Sequence, residues 1–343
     1  MNYIDKVDRR IREYFNILEP NFPEWLNDYI NTEVMLKQQY IGIMCGVNYS
    51  NLFDIKQFYS NLDHSIGTAL IMWYFTHDKK QTLSGLFHDI ATPTFKHCID
   101  FLNDDYMNQE STEELTSKVI FESKEIMSLL KRDNIELEEV DNYHIYPIAD
   151  NNIPRLCADR LEYTLSNSLL TYGFINIDDV KEIYNDLFII KNEDNLDEIS
   201  FKTKKIARKF VKVSSKLLVL FREDRTRYSN QFIADIIKKL IEEKEIKLED
   251  LYNLKESDVL NIIEKSQYKD VFNIWKDAKK VKISKTIPSD VYYIHHGAKI
   301  RYIDPLVENV RISKICKIAS KMIERNKIFD MTNYVYLDGI KFK

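Results

Sequence analysis

Glycine and proline are both scarce, at seven of each in 343 residues. That excludes long flexible linkers. With neither a GxxxxGK nor a GxGxxG pattern anywhere, it also excludes the glycine-rich loops that cradle phosphates in P-loop and dinucleotide-binding proteins. The four cysteines, Cys45, Cys98, Cys157 and Cys316, lie far apart and form no CxxC pair. They read as small buried hydrophobes in a reducing compartment, not as a disulfide frame or a zinc knuckle. No window approaches the roughly 18 consecutive apolar residues that cross a bilayer. The opening stretch, MNYIDKVDRRIREYF, is charged throughout, without the apolar run of a signal sequence. An excess of positive charge is missing too. The formal net charge is −5, so no global basic field argues for nucleic acid. The expectation is a cytoplasmic protein with no membrane contact, long enough for about two domains or one large core with an appendage.

What is present is a helical pattern. Residues 1–60 read as amphipathic helices interrupted at Pro20 and Pro23, and from about 62 to 172 the periodicity is repeatedly helical. Ser111 followed by Glu114 reads as a capping box opening a helix to about Lys131. Gly173 suits a helix C-cap. The segment LFIIKNEDNLDEISF predicts a hairpin turning at NEDN, and two long helices should follow at about 203–222 and 226–243. In the tail, KVKIS, VYYIHHGAKIRYI and YVYLDGIKF read as strands and ISKICKIASKMIERN as a helix. The fold class is mostly α, with a core over residues 1–245 and a small α+β part over 246–343.

Chemistry concentrates in Asn61–Asp100, NLDHSIGTALIMWYFTHDKKQTLSGLFHDIATPTFKHCID. SIGTALIMWYF and TLSGLF are apolar on almost every side at helical spacing, as interior helices are. His64 starts the first and His88-Asp89 ends the second. A carboxylate in such surroundings is costly unless something positive neutralises it, and imidazole with carboxylate is a common ligand set for a divalent transition metal. A further ligand candidate is Asp159. With Tyr163 and Asn167 it falls at i, i+4 and i+8 on one stripe of a helix, with Arg160 at the edge and Leu161, Leu165 and Leu169 opposite.

These segments, in this order, resemble the HD superfamily of metal-dependent phosphohydrolases, and within it the deoxynucleoside triphosphate triphosphohydrolase branch. DHSIGTALIMWYF is similar to that branch's EHSLG helix, HDIATPTFKHCID to its HDLGHGPFSHxFD segment, and ADRLEYTLSNSLLTYG to its DxDRxDYxxRD helix. The likeness covers about residues 40–280. It implies an HD-domain helical bundle and one divalent metal ion (Mn, Fe, Mg, Zn or Ni) held by His64, His88, Asp89 and Asp159. It also implies a phosphate-proximal pair, His97 and Asp100, a phosphate contact at Arg160 and a sugar contact at Tyr163. Arg222, Arg225 and Arg227 would help hold phosphates. The implied partners are a nucleotide or other phosphoester and further copies of the chain. Departures occur at Asn61, where the branch has arginine, at Thr92 and Gln109, where it has histidine, and at Asn167, where it has aspartate.

The function expected is hydrolysis of a nucleotide, a (deoxy)nucleoside triphosphate being one form, by a metal-activated water. The alternatives are an impaired HD domain acting as a nucleotide-binding regulator, and nucleic-acid binding through the basic run from Lys202 to Arg227, which reads first as a solvated helix face. His77-Asp78, a second HD dipeptide, reads as a helix end. His144 reads as solvent-facing, and His295-His296 as a strand-edge pair.

Overall fold

The computed structural model describes residues 2–96, 98–99 and 115–342. An N-terminal helix, α1 (Arg9–Leu18), buries Ile11, Tyr14, Phe15 and Leu18 at helical spacing. Two short helices follow the prolines, Leu26–Ile30 and Glu33–Lys37. The central helix, α2 (Asn61–Thr76), begins at a capping box. Ser60 Oγ accepts from the Asp63 amide at 3.0 Å, while the Asp63 carboxylate accepts from the Ser60 amide at 2.9 Å. Two donors that a helix start leaves open are thereby satisfied. Every residue of α2 from Asn61 to Met72 is buried, as its all-round apolar character predicts. The helix ends at His77 in the left-handed region, φ 47°. Asp78 at once caps α3 (Lys79–Phe87), accepting from the amides of Lys80 and Gln81 at 2.8 and 3.1 Å. The second HD dipeptide is thus a helix junction.

The helix expected to run to Lys131 is two helices, Thr116–Glu122 and Lys124–Asp133. Ser123 divides them because its hydroxyl caps the second, accepting from the Ile126 amide. The expected box at Ser111 and Glu114 lies outside the described residues. Helix α4 (Ala158–Ser166) packs against α2 and widens into a π turn over Asn167–Thr171. Gly173, φ 63°, then turns the chain in the conformation that favours glycine. After α5 (Ile177–Asn185) comes the hairpin β1 (Leu187–Lys191) and β2 (Asp197–Phe201), in antiparallel register from Leu187 opposite Phe201 to Lys191 opposite Asp197. The two long helices are α6 (Lys204–Leu220) and α7 (Asp224–Glu242), followed by α8 (Glu256–Lys265) and α9 (Lys269–Asp277).

The tail holds β3 (Lys282–Ser284), β4 (Tyr293–Ile294), β5 (Leu306–Val307), β6 (Val310–Arg311), a helix pair broken at Cys316 whose second member is α10 (Lys317–Lys327), and β7 (Tyr334–Tyr336). One sheet has the order β1-β2-β5-β6, the other β3-β7-β4. The fold is mostly α with a small α+β part. VYYIHHGAKIRYI was expected as a strand, but only Tyr293 and Ile294 join a ladder. The three residues of β7 pair with β3 along their whole length and with β4 at Val335 and Tyr336, and residues 295–305 run on without regular structure. Two buried apolar clusters form the interior. One gathers α1 to α6 with Ile303, Ile312, Ala319 and Ile323; the other gathers Met44 to Phe53 and Phe95 with α7, α8, α9 and Val335. Each takes residues from both sides of residue 245.

Candidate metal centre

His64, one turn into α2, and His88, just past α3, are both buried. His88 directs Nδ1 at the Gly85 carbonyl, 2.8 Å away. His64 directs Nδ1 at the Glu162 carboxylate in a short hydrogen bond. A carbonyl and a carboxylate only accept, so both Nδ1 atoms carry protons and both Nε2 atoms face inward. The two Nε2 atoms are 3.1 Å apart. Asp159 Oδ1 lies 3.1 Å from His64 Nε2 and 3.8 Å from His88 Nε2; Asp89 Oδ2 lies 3.9 and 3.7 Å from them. Four side chains from three separate stretches of the chain therefore converge.

The donor set fits a metal ion. Ligand atoms about 2.1 Å from a common ion stand about 3.0 Å apart at a right angle and about 4.2 Å apart when opposed. The five separations that involve an imidazole fall in that interval, and His64, His88 and Asp89 form a group at metal-ligand spacing that Asp159 adjoins through the two imidazoles. Burial opposes a charged His64, but the Glu162 and Asp159 carboxylates outweigh it and push its pKa up to about 10. Burial raises and the imidazoles lower the Asp159 carboxyl, leaving it at about 2. Asp89 is likewise held well below the usual carboxylate range, because Lys96 and the two imidazoles outweigh its burial. The carboxylates thus demand positive charge at this point, met by the His64 proton or by a cation that displaces it.

Two residues missed in the sequence complete the surroundings. Glu162 is fully buried, accepting from the Tyr59 and Tyr14 hydroxyls at 2.7 and 3.2 Å and from Ser166 at 3.2 Å. It orients His64 as carboxylates behind metal-bound histidines do. Gly67, one turn after His64, makes room for it: a Cβ there would stand 2.6 Å from Glu162 Oε1. A glycine inside an otherwise apolar helix was the available signal. The second residue is Lys96, buried, with Nζ 2.7 Å from Asp89 Oδ2 and bonded to Asn61 Oδ1. Phe95 and Lys96 both have positive φ, 66° and 44°, a conformation costing non-glycine residues about 1 kcal/mol or more each. The Phe95 ring holds that turn in place by lying where a Cβ of Gly46 would be. Asn61, in place of the branch's arginine, therefore accepts from a lysine.

The centre opens into a cavity of about 780 Å³. Asp159, Tyr163 and Asn167 all line it, as one stripe of α4 should, and so does Arg160. Arg160 also ties down the preceding loop, donating to Asn151 Oδ1 at 2.8 Å and lying 3.2 Å from Asp150. Apolar lining comes from Ile43, Met44, Val47 and Phe221. His144 is half exposed but borders the cavity and pairs with Asp150 at 2.9 Å. Asp150, Cys157 and Asp159 form a further group at metal-ligand spacing, but Arg160 already neutralises Asp150.

Arg222, Arg225 and Arg227 stand elsewhere, contrary to the expectation that they face phosphate. Arg222 is spent on the Leu218 and Asn326 carbonyls at 3.1 and 2.7 Å. Arg225 is held by Leu52 O and Glu223 at 2.8 and 2.9 Å, and Arg227 by Asp224 and the His296 carbonyl. They cap and tie helix ends, and none lines the cavity. In their place Lys299 and Arg301, from the irregular segment, reach it. His97, Asp100 and Gln109 lie outside the described residues. Lys204, Lys205, Arg208, Lys212 and Lys216 form an exposed face of α6, and His295 stacks on Tyr334 at 3.9 Å. No described helix is long and apolar enough to cross a membrane.

No family model matches the chain. It is 26% identical over 273 residues to the uncharacterized protein YdhJ of Bacillus subtilis, covering 79% of this chain and 80% of the relative. It is 22% identical over 144 residues to the metal-dependent phosphohydrolase cns2 of Cordyceps militaris, covering 42% of this chain and 41% of that one. A crystal structure of a hypothetical protein from Aquifex aeolicus shares the fold, with TM-score 0.61, 16% identity and 92% of each chain covered.

Proposed function

We propose that the protein is a metal-dependent phosphohydrolase whose substrate is a nucleotide, a (deoxy)nucleoside triphosphate being the form that the HD resemblance suggests. The observation that carries this reading is the convergence of His64, His88, Asp89 and Asp159 with both imidazole Nε2 atoms turned inward and 3.1 Å apart. The partial likeness to a protein named a metal-dependent phosphohydrolase supports it. These four side chains would hold one divalent ion, which supplies Lewis acidity to a phosphoryl oxygen and makes water a better nucleophile when bound. Glu162 keeps His64 in the tautomer that ligation needs. Lys96 and Arg160 neutralise phosphate oxygens beside the reacting centre, where a fixed cation acts without reorganisation. Tyr163 and Asn167 flank the rest of the substrate. His97 and Asp100 are assigned proton transfer on the sequence likeness alone.

A second reading, a nucleotide-binding regulator with little turnover, is favoured by Thr92. It is buried and carries no ring nitrogen where the branch has a histidine. Metal analysis of the purified chain, joined to incubation with nucleoside mono-, di- and triphosphates, separates the two. Bound metal with phosphate or polyphosphate release supports the hydrolase. Saturable binding without products supports the regulator, and a chain that retains no divalent ion contradicts the hydrolase reading.

A further inference from the structure

The cavity has a cation, Arg301, that the hydrolytic centre does not use. Arg301 lines it from segment 295–305, two residues beyond Lys299, which lines it too. No carboxylate lies within ion-pair reach of Arg301 among the described residues. Another cation, Arg222, is 2% exposed, and its pKa is pushed down first by burial and then by the charge of Arg301. Arg222 spends Nε and Nη2 on carbonyls, yet its Nη1 is buried without a partner. Guanidiniums placed together without an anion are unfavourable in a partly desolvated wall. Such an arrangement persists where an anion joins it, and a planar fork of N–H donors suits phosphate oxygens best. Tyr163 and Phe221, which share this wall, would flank an organic group between the two ends.

We infer that Arg301, with Lys299 beside it, binds a second phosphate of the substrate, distinct from the phosphorus attacked at the metal centre. The inference deepens the phosphohydrolase reading and rests on it for the identity of the substrate. It makes a phosphoester carrying at least two phosphate groups the preferred class and a simple monoester a poor one.

The test is calorimetric titration of the whole chain with inorganic pyrophosphate, comparing wild type, Arg301→Gln and Arg301→Lys, with KM measured for a nucleoside triphosphate and for 4-nitrophenyl phosphate. Among the described residues Arg301 makes no bond whose loss would unfold the chain, and an unchanged thermal midpoint checks this. Arg301→Gln should weaken pyrophosphate binding about tenfold or more and raise KM for the triphosphate alike, leaving KM for the monoester unchanged. Arg301→Lys should recover most of the loss. In the wild type alone, binding should weaken as salt rises. Unchanged pyrophosphate affinity in Arg301→Gln, salt-independent binding, or an equal rise in both KM values overturns the inference. Binding that depends on Arg301 in a protein that holds no metal would instead sink the hydrolase reading and leave the anion site standing.

Discussion

Lys96 and Glu162 approach the same centre from different sides and should fail differently. Glu162 acts through His64, so Glu162→Gln should lower metal affinity about 10–100-fold, measured by competition with a chelating dye, while the helical circular dichroism signal stays unchanged. Unaltered affinity would remove Glu162 from the account. Lys96 competes with an ion for Asp89, since both draw on Oδ2. Lys96→Met should leave metal retention equal or tighter and lower turnover about 10²-fold through loss of a fixed cation at the phosphate. A variant that loses its metal would show Lys96 to be structural. Neither residue was legible in the sequence. A lone lysine in FKH and a glutamate in DRLEY have no distinguishing pattern, and what marks them is burial and a partner distant in the chain, Asp89 and His64.

At the scale of elements, the contact between α2 and α4 depends on one missing methyl group. Gly67→Ala places a Cβ against the Glu162 side chain, at 2.6 Å from Oε1 and 2.8 Å from Cγ. Glu162 is closed in by Tyr14, Tyr59 and Ser166, so it has nowhere to yield. The substitution should cost about 1–3 kcal/mol of stability as overpacking, read from urea unfolding, and lower metal affinity with it. A variant as stable as wild type with normal affinity would mean the two helices separate easily. The elements themselves were largely readable: α2 and α3 from continuous apolar character, α4 from its stripe, β1 and β2 from the turn at NEDN, α6 and α7 from amphipathic spacing. The misreadings share a cause. Residues 291–303 read as a strand, but ladder formation depends on a neighbour's free edge, and the three residues of β7 pair with only Tyr293 and Ile294 of them. Arg222, Arg225 and Arg227 are charged, which suggests solvent or substrate, yet neighbouring carboxylates and carbonyls from distant residues absorb them.

At the scale of the molecule, the two apolar clusters meet around the cavity, and Glu256 ties α8 to the chain before α2 within the second of them. Its carboxyl accepts from the Gly42 amide at 2.9 Å and the Tyr49 hydroxyl at 2.7 Å. Burial pushes its pKa up to about 7 from 4.5, against the lowering effect of these bonds and of Lys96. The folded chain therefore holds this proton more tightly than the unfolded one. The stability it contributes is complete below about pH 4.5 and is lost as pH rises through about 7. Glu256→Gln cannot titrate, so from pH 4 to pH 8 the difference in unfolding free energy should move in the variant's favour by about 3 kcal/mol. Parallel pH profiles would contradict the assignment. Nothing in local sequence announces this tie or the cavity, since both depend on residues more than two hundred positions apart.

The convergence of His64, His88, Asp89 and Asp159 on one cation is most directly tested by an anomalous difference map from crystals grown with manganese. A single strong peak is expected about 2.0–2.2 Å from His64 Nε2, His88 Nε2 and one oxygen each of Asp89 and Asp159, absent in His64→Ala. A map with no peak there, or with the ion between Asp150 and Cys157 instead, would contradict it.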